Sequence, residues 1–179
     1  MIIGGKEFEE NRTHIMGILN ITPDSFSDGG RYNKADSALF HVQEMVKEGA
    51  EIIDVGGEST RPGYKATGAL VEMERIIPVI RKIKSEFDIP VSVDTFRLET
   101  ALEAYKTGID LLNYVKGYEI AGEYGHFAAE TGLPICIMHN RTERAYDDFK
   151  TDYFKDCASM YDLALSVGIS PKRSFSIPV

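Results

Sequence analysis

Five apolar runs, each ending on a polar residue, set the form of this chain. They lie near 15–20, 51–56, 90–94, 110–115 and 134–138. Each is followed by a polar or glycine-rich stretch and then by apolar residues at three- and four-residue spacing. Ala38, Val42, Met45 and Val46 mark the first helix, and Gly49 stops it. Met73, Ile76, Ile77, Ile80 and Ile83 mark the second, which Pro78 kinks or splits. Leu98, Ala101, Leu102 and Tyr105 mark the third, stopped at Gly108. A short helix is expected near 122–131, and a last one carries Phe154, Cys157, Tyr161, Ala164 and Leu165 up to Gly168. Strand, loop and helix in that repeated order predict a parallel sheet covered by helices. A doubly wound sheet and a barrel share this rhythm, so rhythm alone leaves both open. Residues 2–8, centred on Gly4-Gly5, read as a hairpin that could plug the bottom of a barrel. Ser174 to Val179 could begin a sixth strand.

The 179 residues read as one domain, 1–179, with no repeat, low-complexity run or linker. A complete eight-unit barrel takes about 250 residues, so five units and a sixth strand make an incomplete one. The 28 acidic against 20 basic residues give a net charge of −8, which argues against nucleic acid or an anionic membrane as partner. No apolar run reaches the roughly 20 residues of a membrane span, and the start has no basic segment leading into an apolar one. Cys136 and Cys157 lack metal-type spacing and read as reduced thiols. A cytoplasmic protein is expected.

The polar residues gather where a βα-sheet keeps its chemistry, at the carboxyl ends of strands. In order they are Asn20, the stretch from Asp54 to Arg61, Asp94-Thr95, Asn113 and Met138-His139-Asn140. Helix capping accounts for one or two of these. It does not account for two glycine-rich loops and an acid closing Val-Ser-Val-Asp94. Asp94 would end a buried strand, and a buried carboxylate needs a specific partner, such as the paired N–H donors of a guanidine-edged heterocycle. Asn113 could read the same ring. Asn20 offers an amide oxygen suited to Mg²⁺, with phosphate and water completing the shell. Arg61 suits an anion. His139 lacks a second ligand at metal spacing and is expected to be packed and hydrogen-bonded. Asp24 and Asp28 suit turns, and Arg141 to Asp148 reads as a solvated segment.

Two long strings, Asn20-Ile-Thr-Pro-Asp-Ser-Phe-Ser-Asp-Gly29 and Gly57-Glu-Ser-Thr-Arg-Pro-Gly63, closely resemble dihydropteroate synthase. The likeness continues through Val93-Asp94-Thr95, the strand ending in Asn113, and Ile137-Met-His139. It implies a TIM-barrel fold of the α/β class, here incomplete, usually assembled as a homodimer. It implies a transferase of folate biosynthesis and a sulfonamide target. The reaction joins 6-hydroxymethyl-7,8-dihydropterin diphosphate to p-aminobenzoate and releases pyrophosphate. By motif position, Asp94 and Asn113 bind the pterin and Met138 lines its pocket. Asn20 contacts Mg²⁺. Phe26, Asp28, Thr60, Arg61 and Pro62 come from loops closing around pyrophosphate and p-aminobenzoate, with Asp28, Thr60 and Arg61 as the catalytic set.

The chain departs from that family where Tyr114 follows Asn113. The family's Asp-Pro-Gly strand end and its later Lys and Arg-x-His strands have no counterpart here. The expectation is a sheet with two unpaired edges and exposed interior residues. Such a chain would be poorly soluble alone, pair with another, or be a piece of a longer product. The alternative function is a truncated, non-catalytic homologue that binds pterin weakly or is structural only.

Overall fold

The computed structural model describes residues 1–22, 31–58, 66–141 and 145–177, the side chains of 31–34 and 175–177 excepted. Strands β1 (Ile2–Ile3) and β2 (Lys6–Glu7) form the expected antiparallel hairpin. Its turn needs two residues at positive φ, supplied by Gly4 at 57° and Gly5 at 77°. Ile3 and Phe8 bury themselves against Ile52 and Leu111, with Met1 and Met16 alongside. Those partners open their strands, so the hairpin closes the amino end of the sheet. Gly4 has no room for a side chain there: a Cβ would meet Asp110 Cγ at 2.9 Å.

The remaining strands are β3 (Met16–Asn20), β4 (Ile52–Gly56), β5 (Val91–Asp94), β6 (Leu111–Tyr114), β7 (Ile135–Met138) and β8 (Ser174–Ile177). All pair in parallel, each with the next in sequence, so β8 is the sixth strand. This order settles what rhythm leaves open. A doubly wound sheet reverses strand order at a switch point; here it runs one way, as in the wall of a barrel.

Between the strands lie α1 (Arg31–Lys47), α2 (Ala69–Glu86), α3 (Leu98–Tyr105), α4 (Glu123–Thr131) and α5 (Phe149–Ser166). The side chains of alternate strand residues reach them: Leu19, Ile53, Val55, Val91, Val93, Leu112, Ile135 and Ile137 are core. Helix α2 supplies Ile76, Ile77, Val79, Ile80 and Ile83. Pro78 sits inside this helix with its ring exposed and does not split it. An interior proline costs about 3 kcal/mol. Burying each flanking aliphatic side chain returns roughly 1.5–3 kcal/mol, and several of them do so.

Two helices turn a different face inward from the one their apolar residues suggest. Helix α5 buries Asp156, Met160 and Ala164, while Phe154, Tyr161 and Leu165 stay exposed. The buried acid is the reason, because Asp156 gathers the donors described below. Helix α3 buries Ala101 and Ala104 and leaves Leu102 and Tyr105 outside. On α1, Ala38 and Val42 are core and Val46 is exposed. The expected exposure of interior residues appears at the β3 edge, where Ile18 is 62% exposed.

Candidate active site

The second face of the sheet carries the polar residues. Parallel pairing aligns Asn20 with Gly56, Gly56 with Asp94, Asp94 with Asn113, and Asn113 with Cys136. Paired residues point to one face, so the ends of five strands lie side by side there, with Met138 two residues beyond Cys136 on the same face of β7. Gly56 keeps the row open. A Cβ on it would lie 3.1 Å from Asn20 Oδ1 and 3.6 Å from Asp94 Oδ2. The amide of Asn20 and the carboxylate of Asp94 therefore flank the same gap. Thus Asn20, Asp94, Asn113 and Met138 all come from adjacent strand ends. Phe26, Asp28, Thr60, Arg61 and Pro62 lie outside the described residues.

Below this row is Asp54, buried and in register with Ser92. Asn113 Nδ2 donates to Asp54 Oδ2 at 3.0 Å. Among the described residues that leaves Asp54 Oδ1 and Asn113 Oδ1 buried with no hydrogen-bond partner, and the hydroxyl of neighbouring Ser92 is buried and unpaired as well. Buried acceptors of this kind are costly unless a ligand or water satisfies them. Burial pushes the Asp54 carboxyl up. Asp94 is pushed up to about 7, first by burial and then by the charges of Asp54 and Glu72. The site thus offers acceptors to an N–H-bearing edge, with one carboxyl poised between its charged and neutral forms near neutral pH. Asp54 enters the sequence reading only as the start of the stretch to Arg61 and receives no role from the motifs. Its signal was an acid in the middle of Ile-Ile-Asp54-Val, where a wholly apolar strand would be expected.

Behind Asp94 a second polar group is packed between helices. Glu72, in the first turn of α2, is 1% exposed. Its Oε2 accepts from Thr95 Oγ1 at 3.1 Å, Thr100 Oγ1 at 2.7 Å and Arg97 Nη1 at 3.2 Å. Arg97 Nη2 also donates to Glu58 at 3.0 Å. Glu58 further accepts from the N–H and hydroxyl of Thr67, at 3.1 and 2.9 Å. Burial opposes the charge on Glu58, yet Arg97 and Thr67 together hold its carboxyl below the usual range. An acid in a first helical turn reads in sequence as a partner of the helix dipole, so the sequence carries no signal for this group.

His139 is buried with Nε2 2.9 Å from Asp156 Oδ2, the packed histidine expected. Arg141 is no solvated residue. It donates from Nε and Nη2 to the two oxygens of Asp156 and lies 4.3 Å from the ring centre of Tyr146. Arg141, with His139 and Tyr118, holds the Asp156 carboxyl far below the usual range. Among the described residues no group of three His, Cys, Asp or Glu side chains could hold a metal. No helix among them is long and apolar enough to cross a membrane.

Residues 16–175 match the family model described as pterin binding enzyme. This chain belongs to that family. The pterin binding enzymes it resembles include a dihydropteroate synthase of Clostridium beijerinckii, 46% identical over 174 residues. That match covers 97% of this chain and 65% of the relative. Among solved structures, dihydropteroate synthase of Clostridium difficile in the presence of pteroic acid is 42% identical with a TM-score of 0.85. It is matched over 94% of this chain and 64% of that one. The Yersinia pestis dihydropteroate synthase in complex with a sulfonamide drug is 35% identical, with a TM-score of 0.89 over all of this chain and 67% of that one. The resemblance carried by the two loop strings and the barrel architecture it implied are both borne out. This chain spans about two thirds of these relatives.

Proposed function

We propose that this chain contributes the pterin-binding part of a dihydropteroate synthase. The reaction joins 6-hydroxymethyl-7,8-dihydropterin diphosphate to p-aminobenzoate, giving 7,8-dihydropteroate and pyrophosphate. One observation carries the reading: among the described residues, Asp54 Oδ1 and Asn113 Oδ1 are buried acceptors without partners, beside the Asp94 carboxyl. An aminopyrimidinone edge presents N–H donors in the complementary pattern. Asp94 and Asn113 bind that edge, and Met138, at the end of β7, lines the apolar side. Gly56 leaves the space in which the ring's substituent passes towards Asn20.

Asn20 is the described residue that would hold Mg²⁺. Its exposed amide oxygen faces the gap over Gly56, and one neutral oxygen suits an ion that takes its other ligands from diphosphate and water. When bound, the ion would neutralise charge on the leaving diphosphate. Asp28, Thr60 and Arg61 are the proposed catalytic residues around that diphosphate, with Phe26 and Pro62 bordering p-aminobenzoate. Residues 1–179 act as one domain in the cytoplasm, and the exposed apolar faces of α3 and α5 accord with a homodimer.

The test is calorimetry with the pterin diphosphate, with and without Mg²⁺, followed by a pyrophosphate-release assay with p-aminobenzoate. Binding that strengthens with Mg²⁺ and release on adding p-aminobenzoate are expected. Absence of binding to the pterin diphosphate would sink the proposal. Binding without release would instead mark a non-catalytic pterin binder.

A further inference from the structure

The corner after β4 is held in a way the pterin site itself does not require. Gly57 packs straight onto α2, where a Cβ would lie 2.7 Å from Ile76 Cγ2 and 2.9 Å from Glu72 Cγ. Arg75 Nη1 donates to Gly57 O at 2.8 Å. Glu58 follows, with only 8% of its side chain exposed, and it closes onto Thr67 just before α2 begins. Three side chains then converge on Arg97. Its guanidinium spans Glu58 and Glu72, which lie on either side of the same connection, and its own Cζ lies 4.5 Å from the ring centre of Phe96. Arg97 is itself three residues past Asp94.

We propose that Arg97 is a positioning residue for pterin: it ties Glu58 to Glu72 and so fixes Gly56 and Asp94 against each other. This rests on the pterin reading above. The physical case is that of one cation shared by two acids. Glu72 is buried, and its hydroxyl donors, Thr95 and Thr100, carry no charge. Arg97 supplies its compensating charge, without which a buried carboxylate is strongly unfavourable. The planar guanidinium can serve both acids at once, from separate nitrogens. A lysine is a point charge on a flexible stem and can serve one acid well or both poorly. Freeing the Glu58 corner would let the Gly56 gap between Asn20 and Asp94 vary.

The experiment compares Arg97→Met and Arg97→Lys with the unaltered chain, using 6-hydroxymethylpterin as probe and the Thr67 backbone amide as reporter. That amide donates to the Glu58 carboxylate, so its proton resonance lies downfield while the tether holds. In Arg97→Met the resonance should move upfield and exchange faster, and the probe dissociation constant should rise about tenfold. Arg97→Lys should recover part of both. Should Arg97→Met not fold, Glu72→Gln removes the charge on the far side of Arg97 and leaves the Thr67 acceptor unaltered; an upfield shift is then expected to reach Thr67 through Arg97. A Thr67 resonance unmoved in Arg97→Met, or in Glu72→Gln where that substitutes for it, overturns the proposal, and so does an unchanged probe dissociation constant in a chain that binds the probe. So does a Lys variant indistinguishable from Met in both readouts. Failure of the unaltered chain to bind the probe would count against the pterin reading instead, while Thr67 still decides the tether.

Discussion

Asn113 reaches past β5 to donate its amide to Asp54, two strands away, at 3.0 Å. The tilt of strands in a barrel wall makes this possible, because residues at one height come from different register positions. The bond uses one oxygen of Asp54 and the amide nitrogen of Asn113, and among the described residues the other oxygen of each stays buried and unpaired. A hydrogen bond within the site thus creates its own unmet demand for donors.

Replacing Asp54 by Asn should separate binding from stability. The variant removes a carboxyl whose charged form burial disfavours, so the midpoint of thermal unfolding at pH 7 should stay level or rise. It also substitutes a donor for one acceptor face. Pterin affinity should then fall about tenfold or more, the scale of a buried polar mismatch. Calorimetry beside a melting curve checks both, and unchanged affinity would count against Asp54.

Asp94 contributes to the pH dependence of the ligand-free chain, in the same direction as buried Asp54. Its folded carboxyl titrates at about 7, above an ordinary value of 3.8. Between these values the native state holds a proton that the unfolded state has lost. The contribution is therefore full below pH 4 and is lost as pH rises to about 7. Its size is on the order of 2–4 kcal/mol. Denaturant unfolding at several pH values should show this decline, and Asp94→Asn should flatten it. A variant that retains the full slope would place the titration elsewhere.

Asp156 behaves in the opposite way. Its carboxyl is held low by Arg141 first, so its stabilising effect is present above the usual carboxylate range and is lost in acid. Asp156→Ala should lower stability at pH 7 by about 2 kcal/mol, since it strips the partner from buried His139 and from Arg141. Near pH 2 the difference from the unaltered chain should shrink. An equal difference at both pH values would argue that lost packing, not charge, is responsible.

What could be read in advance divides along a physical line. Strand positions, the hairpin at Gly4-Gly5 and the glycine stops at 49, 108 and 168 are local, and they stand within a residue or two of where periodicity puts them. The placing of Asp94, Asn113 and Asn20 on one rim of the sheet was legible because a polar residue ending an apolar run has few explanations. Asp54 carried a signal of the same kind but lacked a motif to draw attention to it. The buried face of α5 was misread, since apolar content pointed to Phe154 and Tyr161 while Asp156 was the residue turned inward. Arg141 was misread for the same reason: a charged residue in a polar run looks solvated until its partner is seen.

By itself the sequence determined the βα order, the ends of its strands and, through two loop strings, the family. Those depend on residues close together in the chain. The tertiary structure alone decided that strand order runs one way, that Asn113 meets Asp54, and that one arginine serves Glu58 and Glu72. These pairings span 59, 39 and 25 residues. Which buried charge finds which partner is fixed by how strands tilt and helices pack, and no local periodicity encodes that.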